Sequence, residues 1–503
     1  MGLSVLRSRA RFGVEAPPVT IEVFLSGGLP KFNIVGLAET AVRESKDRVF
    51  GAIKSSGFEF PQRRITANLG PADMRKTGGR YDLAIALGIL AASGQLSSGR
   101  PGDYECYGEL ALSGRLRPVP GVLPAAVKAA QAGRPIIVPE ENGGEAALAG
   151  SEVYVAQSLL EVTAMFNGGE ALATMVPPSA GTGGDAGPDL ADVRGQHYAR
   201  RALEIAAAGG HNLLFIGPPG TGKSMLAERM PGILPPMDDE QALETAAVNS
   251  IIGVPSPLDR WYQRPYRAPH HTASAVALVG GGSEPLPGEI SRAHNGVLFL
   301  DELAEFPRSV LDVMREPLET GQITISRAAG QATYPGRFQL IAAMNPCPCG
   351  YLGDRRGDIH CSADAVRADR GRVSGPLLDR IDIKVDVARP PAGLLRPDAE
   401  PGEPSAAGAA RVVAARQRQM DCRGATNASV AVAEIDRVFG QSPGAFDLLE
   451  EAATKLSLSA RACRRIQRVA LTVADLAGKA RLSRAAVAEA LALWQPDRNR
   501  RTR

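Results

Sequence analysis

The stretch Gly217-Pro218-Pro219-Gly220-Thr221-Gly222-Lys223-Ser224 fits the phosphate-cradling pattern G-x-x-x-x-G-K-S without a mismatch. A glycine-rich turn lets backbone N–H groups and a helix N-terminus converge on phosphate oxygens. Lys223 would reach the β- and γ-phosphates of a nucleoside triphosphate, and the Ser224 hydroxyl would ligate Mg²⁺. Downstream, the apolar run Gly296-Val297-Leu298-Phe299-Leu300 ends in the adjacent carboxylates Asp301 and Glu302. Asp301 would share the Mg²⁺, and Glu302 would polarise an attacking water. Acidic pairs after apolar runs are common. Behind a phosphate-binding turn, this one reads as hydrolytic machinery. A third apolar run, Gln339-Leu340-Ile341-Ala342-Ala343-Met344, ends at Asn345, which reads either as a sensor of the γ-phosphate or as an Asn-Pro strand stop.

Such groups need rigid elements to hold them. Asn212-Leu213-Leu214-Phe215-Ile216 is short and apolar, as a buried parallel strand requires, and Met225-Leu226-Ala227-Glu228-Arg229-Met230 reads as helix. The glycine-rich turn therefore joins a strand to a helix. Strand-like and helix-like segments alternate to about residue 390, the pattern of a parallel sheet covered by helices. Further upstream, strands are expected at 19–25, 65–69 and 135–138, with helical periodicity over 39–56 and 82–93. Residues 176–189 are too rich in Gly and Pro to build a core, and a second Pro/Gly/Ala-rich break runs over 389–409. The remainder is Ala- and Arg-rich and helical. The chain thus reads as α/β with three units: residues 1–168, a linker 169–190, a P-loop core 191–390, a linker 391–409 and a helical lid 410–503.

Composition bounds the function classes. At 503 residues, 44% hydrophobic and 22% charged, the chain has room for several globular domains. No apolar run approaches a membrane span, and the N-terminus lacks a signal-peptide core, so no membrane association is expected and the cytoplasm is the expected compartment. A net charge of +3 says little, but from Arg461 onward basic residues dominate, which suits a solvated face or a polyanionic track. Six cysteines in such a length do not suggest a disulfide scaffold. Cys347, Cys349 and Cys361 lie on one insertion after Asn345, and clustered thiolates there would suit tetrahedral Zn²⁺. His360 would be a poor fourth ligand, because it is adjacent to Cys361 in the chain. Cys106, Cys422 and Cys463 are scattered and read as free thiols. His270-His271 reads as a metal pair, a structural pair or a DNA contact.

Several longer motifs occur in order: Gly27-Gly28-Leu29-Pro30 with Ile34-Val35-Gly36-Leu37, Arg267-Ala268-Pro269-His270-His271-Thr272, Pro287-Gly288-Glu289-Ile290, Asn345-Pro346-Cys347-Pro348-Cys349-Gly350, and Gly375-Pro376-Leu377-Leu378-Asp379-Arg380-Ile381-Asp382. Through them the chain resembles the ComM/YifB family of magnesium-chelatase-like AAA+ proteins, from about Gly13 to Leu493. The resemblance implies an ATP- and Mg²⁺-dependent homo-hexameric ring that moves single-stranded or branched DNA, as a helicase or branch migrator in natural transformation or recombination. It also implies a Lon-protease-like N-terminal α/β domain, an AAA+ core with a parallel sheet and helicase-type hairpin inserts, and a lid of the magnesium-chelatase C-terminal type. The alternative is the motor subunit of a metal-insertion complex, which shares the ATPase core but lacks the N-terminal domain.

The resemblance also assigns roles to single residues. Arg380 looks like an arginine finger acting on a neighbour's nucleotide, unless it only pairs with Asp379 or Asp382. Arg461, beside Arg464, Arg465 and Arg468, resembles the sensor-2 arginine that contacts nucleotide from the lid. Arg327, in the hairpin-like Ile323–Gly330, resembles a channel-facing DNA contact, and reads equally as a solvated hairpin arginine. The Ser–Lys dyad of Lon is missing, since the segment Arg75–Asp82 has no serine and the lysine position falls at Leu123. Without nucleophile and base, this domain is expected to bind or assemble rather than to cut. Ile359 stands where the family commonly carries a fourth cysteine of the insertion.

Overall fold

The computed structural model describes residues 2–494 except 38, 98–99, 180–186, 283–284, 328–329, 353–360, 390–392, 394–399 and 480. Part of the first glycine-rich linker, Ile359 and His360, and the basic run after Trp494 lie outside these described residues.

Period-two alternation builds the first sheet. β1 (Gly2–Arg9) pairs antiparallel with β2 (Pro18–Ser26); β3 (Lys31–Val35), β4 (Arg64–Gly70) and β5 (Glu105–Cys106) follow. β6 (Glu109–Leu110) and β7 (Leu116–Arg117) form a separate hairpin, and β8 (Ile136–Pro139), β9 (Val153–Ala156) and β10 (Ala173–Thr174) complete an eight-stranded mixed sheet of order β10-β9-β8-β5-β1-β2-β4-β3. In β2, Val19, Ile21, Val23 and Leu25 share one buried face. The helix Asp82–Ala92 lies on that face; apolar after its first residue, it is buried from Asp82 to Leu90. The helix expected over 39–56 is two pieces, Thr40–Arg43 and Ser45–Ser55, divided at Glu44.

The second sheet is wholly parallel. It is formed by β11 (Leu213–Ile216), β12 (Tyr266–Arg267), β15 (Val297–Leu300), β18 (Gln339–Met344) and β19 (Ile383–Asp386), in the order β12-β15-β18-β11-β19. Two hairpins project from the connections, β13 (Gly280–Gly281) with β14 (Leu286–Pro287), and β16 (Gln322–Arg327) with β17 (Gly330–Pro335). The three central strands, β11, β15 and β18, are largely buried on both faces and read as continuous apolar runs.

Among the described residues five helices, starting with Ser405–Arg423 and ending with Arg484–Leu493, form the C-terminal region. The first begins inside the stretch read as the second linker. Its start is pinned, because Ser405 Oγ accepts from Leu190 N at 2.7 Å while Asp189 accepts from Ser405 N at 3.0 Å. The helices dock on the C-terminal end of helix His197–Gly209. There Arg416 and Gln419 donate to the carbonyls of Ala207 and Ala208, which a helix end leaves without partners. The N-terminal unit docks through helix Val122–Gln131 on helix Asp239–Ile251. Leu123 is buried there with Met237, Ala242, Ala246 and Trp261, and burying one leucine contributes about 2 kcal/mol. Among the described residues no helix is long and apolar enough to cross a membrane.

Candidate functional site

Parallel strands deliver their functional groups at their carboxyl ends, and three adjacent strands do so here. β11 ends at Ile216, and the loop 217–222 turns into helix Lys223–Glu228. Gly220 and Gly222 have φ of 74° and 88°, a left-handed region that glycine enters without strain. Lys223 Nζ donates to the carbonyls of Gly217 at 2.6 Å and Pro218 at 2.9 Å, and to Asn345 Oδ1 at 3.1 Å. Burial lowers the Lys223 pKa, opposed by the nearby charges of Asp301 and Glu302. β15 delivers Asp301, whose Oδ2 accepts from Ser224 Oγ at 2.6 Å. The two expected Mg²⁺ ligands are therefore in contact, and their hard oxygens fit that ion. β18 delivers Asn345 to the lysine. Loop, carboxylate and Asn345 form one cluster that fits a nucleoside triphosphate with Mg²⁺.

Glu302 has a left-handed backbone, φ 51°, which turns it out of the line of β15. Its carboxylate lies 3.0 Å from His271 Nδ1. His271 follows β12, the strand beside β15, with its ring against His270 and edge-on to Phe306. One member of the histidine pair thus addresses the residue expected to activate water. The motifs on either side are joined as well, since Arg267 donates twice to Glu289, at 2.6 and 2.9 Å.

Arg380 lies across the sheet from this cluster. β11 and β19 are parallel and in register from Leu213↔Ile383 to Ile216↔Asp386. Arg380 precedes Ile383 at the edge where strands begin, whereas the phosphate loop leaves the edge where they end. Four residues of strand separate the edges by about 13 Å. Arg380 pairs with Glu319 and donates to Pro376 O at 2.5 Å, while its buried Nε has no partner. Neither Asp379 nor Asp382 is its ion-pair partner. Asp382 instead meets Arg465 at 3.7 Å and His211 at 3.5 Å.

The comparisons with known proteins agree along the chain. It matches the families described as Magnesium chelatase, subunit ChlI, over residues 189–394, Subunit ChlI of Mg-chelatase over 21–142, and Magnesium chelatase, subunit ChlI C-terminal, over 402–493. It is 48% identical over 500 residues to the Uncharacterized protein YifB of Escherichia coli (strain K12), covering 99% of this chain and 98% of that protein. It is 48% identical over 497 residues to the Competence protein ComM of Haemophilus influenzae, covering 98% and 97%. The chain belongs to the ComM/YifB family. The Magnesium-chelatase 38 kDa subunit of Cereibacter sphaeroides is 24% identical over 218 residues, covering only 39% of this chain and 57% of that subunit. The family and the P-loop cluster together support an AAA+ ATPase that uses ATP and Mg²⁺.

In this ComM/YifB-family chain the lid arginines approach the edge where the strands begin. Arg461 opens helix Ala460–Leu476, but one turn later Arg465 meets Asp382 at the strand-start edge. Arg461 and Arg380 both lie near enough to Arg465 for their charges to bear on it. Arg461 is exposed and makes no ion pair among the described residues. Arg464 is committed to Asp436. Arg327 ends β16, exposed, and leans on the neighbouring hairpin: a Cβ at Gly281 would lie 2.9 Å from its Nη2.

In the N-terminal unit the segment Arg75–Asp82 carries no serine and position 123 is a leucine. Lys76 is buried and gives its ammonium to the carbonyls of Met74, at 2.7 Å, and Pro71. Ser45 bonds Asp82, which Arg48 also meets at 2.6 Å. Burial pushes the Asp82 carboxyl up to about 6, against the pull of Arg48 and Ser45. Leu123, at the expected lysine position, is covered by the ATPase core. On the insertion after Asn345, the sulfurs of Cys347, Cys349 and Cys361 all lie within 4.8 Å of one another.

Proposed function

We propose that the chain is the subunit of a cytoplasmic, homo-hexameric AAA+ ring that hydrolyses ATP to move single-stranded or branched DNA, in natural transformation or recombination. One observation carries the ring: Arg380 sits at the sheet edge opposite its own phosphate loop, where a neighbouring subunit's nucleotide is the one it can serve. Arg461, on the same edge, supports the reading. In such a ring Lys223 neutralises the β- and γ-phosphates, Ser224 and Asp301 hold Mg²⁺, and Asn345 reads the γ-phosphate. Glu302, released from His271, orients the water, and the neighbour's Arg380 neutralises charge on the transferring phosphoryl group. Hydrolysis then depends on assembly.

DNA as the substrate is supported by a 48% identical relative named a competence protein and by Arg327, exposed at the end of its hairpin strand. The test is the ATPase rate with no DNA, single strands, duplex and four-way junctions. DNA should raise the rate, and affinity should fall with salt, with a log–log slope of about −0.9 per phosphate neutralised on duplex. Arg327→Ala should flatten that slope and abolish stimulation, leaving basal hydrolysis intact. Unchanged affinity, slope and stimulation would move the contact elsewhere. A wild-type protein that binds no DNA at low salt would remove the DNA reading. The second reading, a metal-insertion motor, is favoured by the magnesium-chelatase family descriptions. It predicts stimulation by a porphyrin-binding partner instead.

A further inference from the structure

Three thiols from the two ends of one insertion meet beside the nucleotide cluster. Cys347 and Cys349 follow Asn345 almost directly, and Cys361 stands just before helix Ala363–Arg372. Cys347 Sγ lies 3.3 Å from Cys349 Sγ, and Cys349 N–H donates to Cys361 Sγ at 3.3 Å. Cys347 is buried, and the other two are half-buried. Thiols are weak donors and weak acceptors, so contacts between sulfurs do little to offset the ordering of three side chains. Zn²⁺ changes that balance. With Zn–S bonds of about 2.3 Å, a tetrahedral ion holds its sulfurs about 3.8 Å apart, close to the spacing already present.

The turn that carries two of the thiols touches the ATPase machinery. Gly350 has φ 83°, and a Cβ there would lie 2.7 Å from Pro219 Cδ in the phosphate loop and 3.9 Å from Asn345 Cγ. The turn after the third strand is thus pressed onto the loop after the first. We propose that Cys347, Cys349 and Cys361 bind Zn²⁺ through three thiolates, with one position left for water or another donor, and that the ion holds this turn against Pro219 and Asn345. Zinc occupancy then sets ATP turnover by fixing the γ-phosphate sensor. The coupling rests on Asn345 acting in the nucleotide site; the metal site itself does not.

Zinc content of the full-length protein, purified without added chelator, tests the site. About one zinc per chain is expected, falling to below about a tenth of that in Cys349→Ser and Cys361→Ser and remaining in Cys422→Ser and Cys463→Ser. Because Cys347 is buried and its variant could misfold, Co²⁺ loading of the wild-type protein supplies a second readout. A thiolate-to-cobalt charge-transfer band should form and vanish in Cys361→Ser. A wild-type protein with neither zinc nor a cobalt band, or a Cys361→Ser protein with undiminished zinc, would overturn the site. Stripping zinc should lower kcat for ATP several-fold with KM little changed, and Zn²⁺ should restore it. Loss of zinc with unchanged turnover would refute the coupling. A zinc-loaded protein that hydrolyses no ATP would count against the nucleotide reading and leave the metal site standing.

Discussion

In the proposed mechanism hydrolysis turns on Glu302, whose carboxylate faces the His271 imidazole. With one carboxylate oxygen 3.0 Å from His271 Nδ1, orienting water requires the histidine to give way. Glu302→Gln should keep nucleotide and Mg²⁺ binding, because Lys223, Ser224 and Asp301 are untouched, yet lose turnover by about 10² to 10⁴-fold. Near wild-type hydrolysis would remove the assignment. His271→Ala frees the carboxylate, and basal kcat should rise a few-fold with KM for ATP unchanged. Steady-state kinetics of the two variants decide both points; wild-type kinetics in His271→Ala would make the contact incidental.

At the scale of elements, the start of β15 is registered by a buried histidine. His294 Nε2 donates to Glu244, 3.0 Å away on helix Asp239–Ile251, and its Nδ1 accepts from Arg337 N at 3.1 Å, just before β18. The ring is fully buried, and burial holds its pKa below the usual value, opposed by Glu244. Below about pH 6.5 the unfolded chain takes up this proton and the folded one resists it. The unfolded state then binds more protons, and stability falls as pH falls. Melting temperature should therefore drop more steeply between about pH 7 and pH 5 in the wild type than in His294→Gln, whose side chain stays neutral. Parallel pH profiles would mean that His294 does not set this acid sensitivity.

At the scale of the molecule, the lid and Arg380 share the edge of the sheet that faces away from the chain's own phosphates, and the N-terminal unit covers helix Asp239–Ile251. One subunit holds a nucleotide cluster at one edge and Arg380 and Arg461 at the other, as the proposed head-to-tail ring requires. Arg380→Ala should bind ATP normally and hydrolyse it about 10³-fold or more slowly. Mixed with Glu302→Gln subunits, it should regain part of the activity, because some interfaces then pair an intact finger with an intact base. A mixture no faster than either variant alone would exclude action between subunits.

The phosphate loop, the carboxylate pair and the strand before Asn345 were legible in the sequence because each is contiguous. Turn, strand and helix signals act over a few residues, and Gly217–Ser224 or Val297–Glu302 carries its own context. The helical C-terminal region was legible in composition for the same local reason. What the sequence could not supply is which residues separate elements bring together. The order β12-β15-β18-β11-β19 puts His271 on Glu302 and Asn345 on Lys223, and no spacing along the chain encodes that adjacency. Parallel register sends Arg380 to the far edge, and docking of the lid takes Arg461 with it. Leu123 looks like a missing lysine in the sequence and is a buried contact in the fold. Cys361 reaches Cys349 only because the chain returns before helix Ala363–Arg372. Local chemistry follows from neighbours in the chain, whereas these pairings follow from packing between segments far apart in it, which only the folded structure decides.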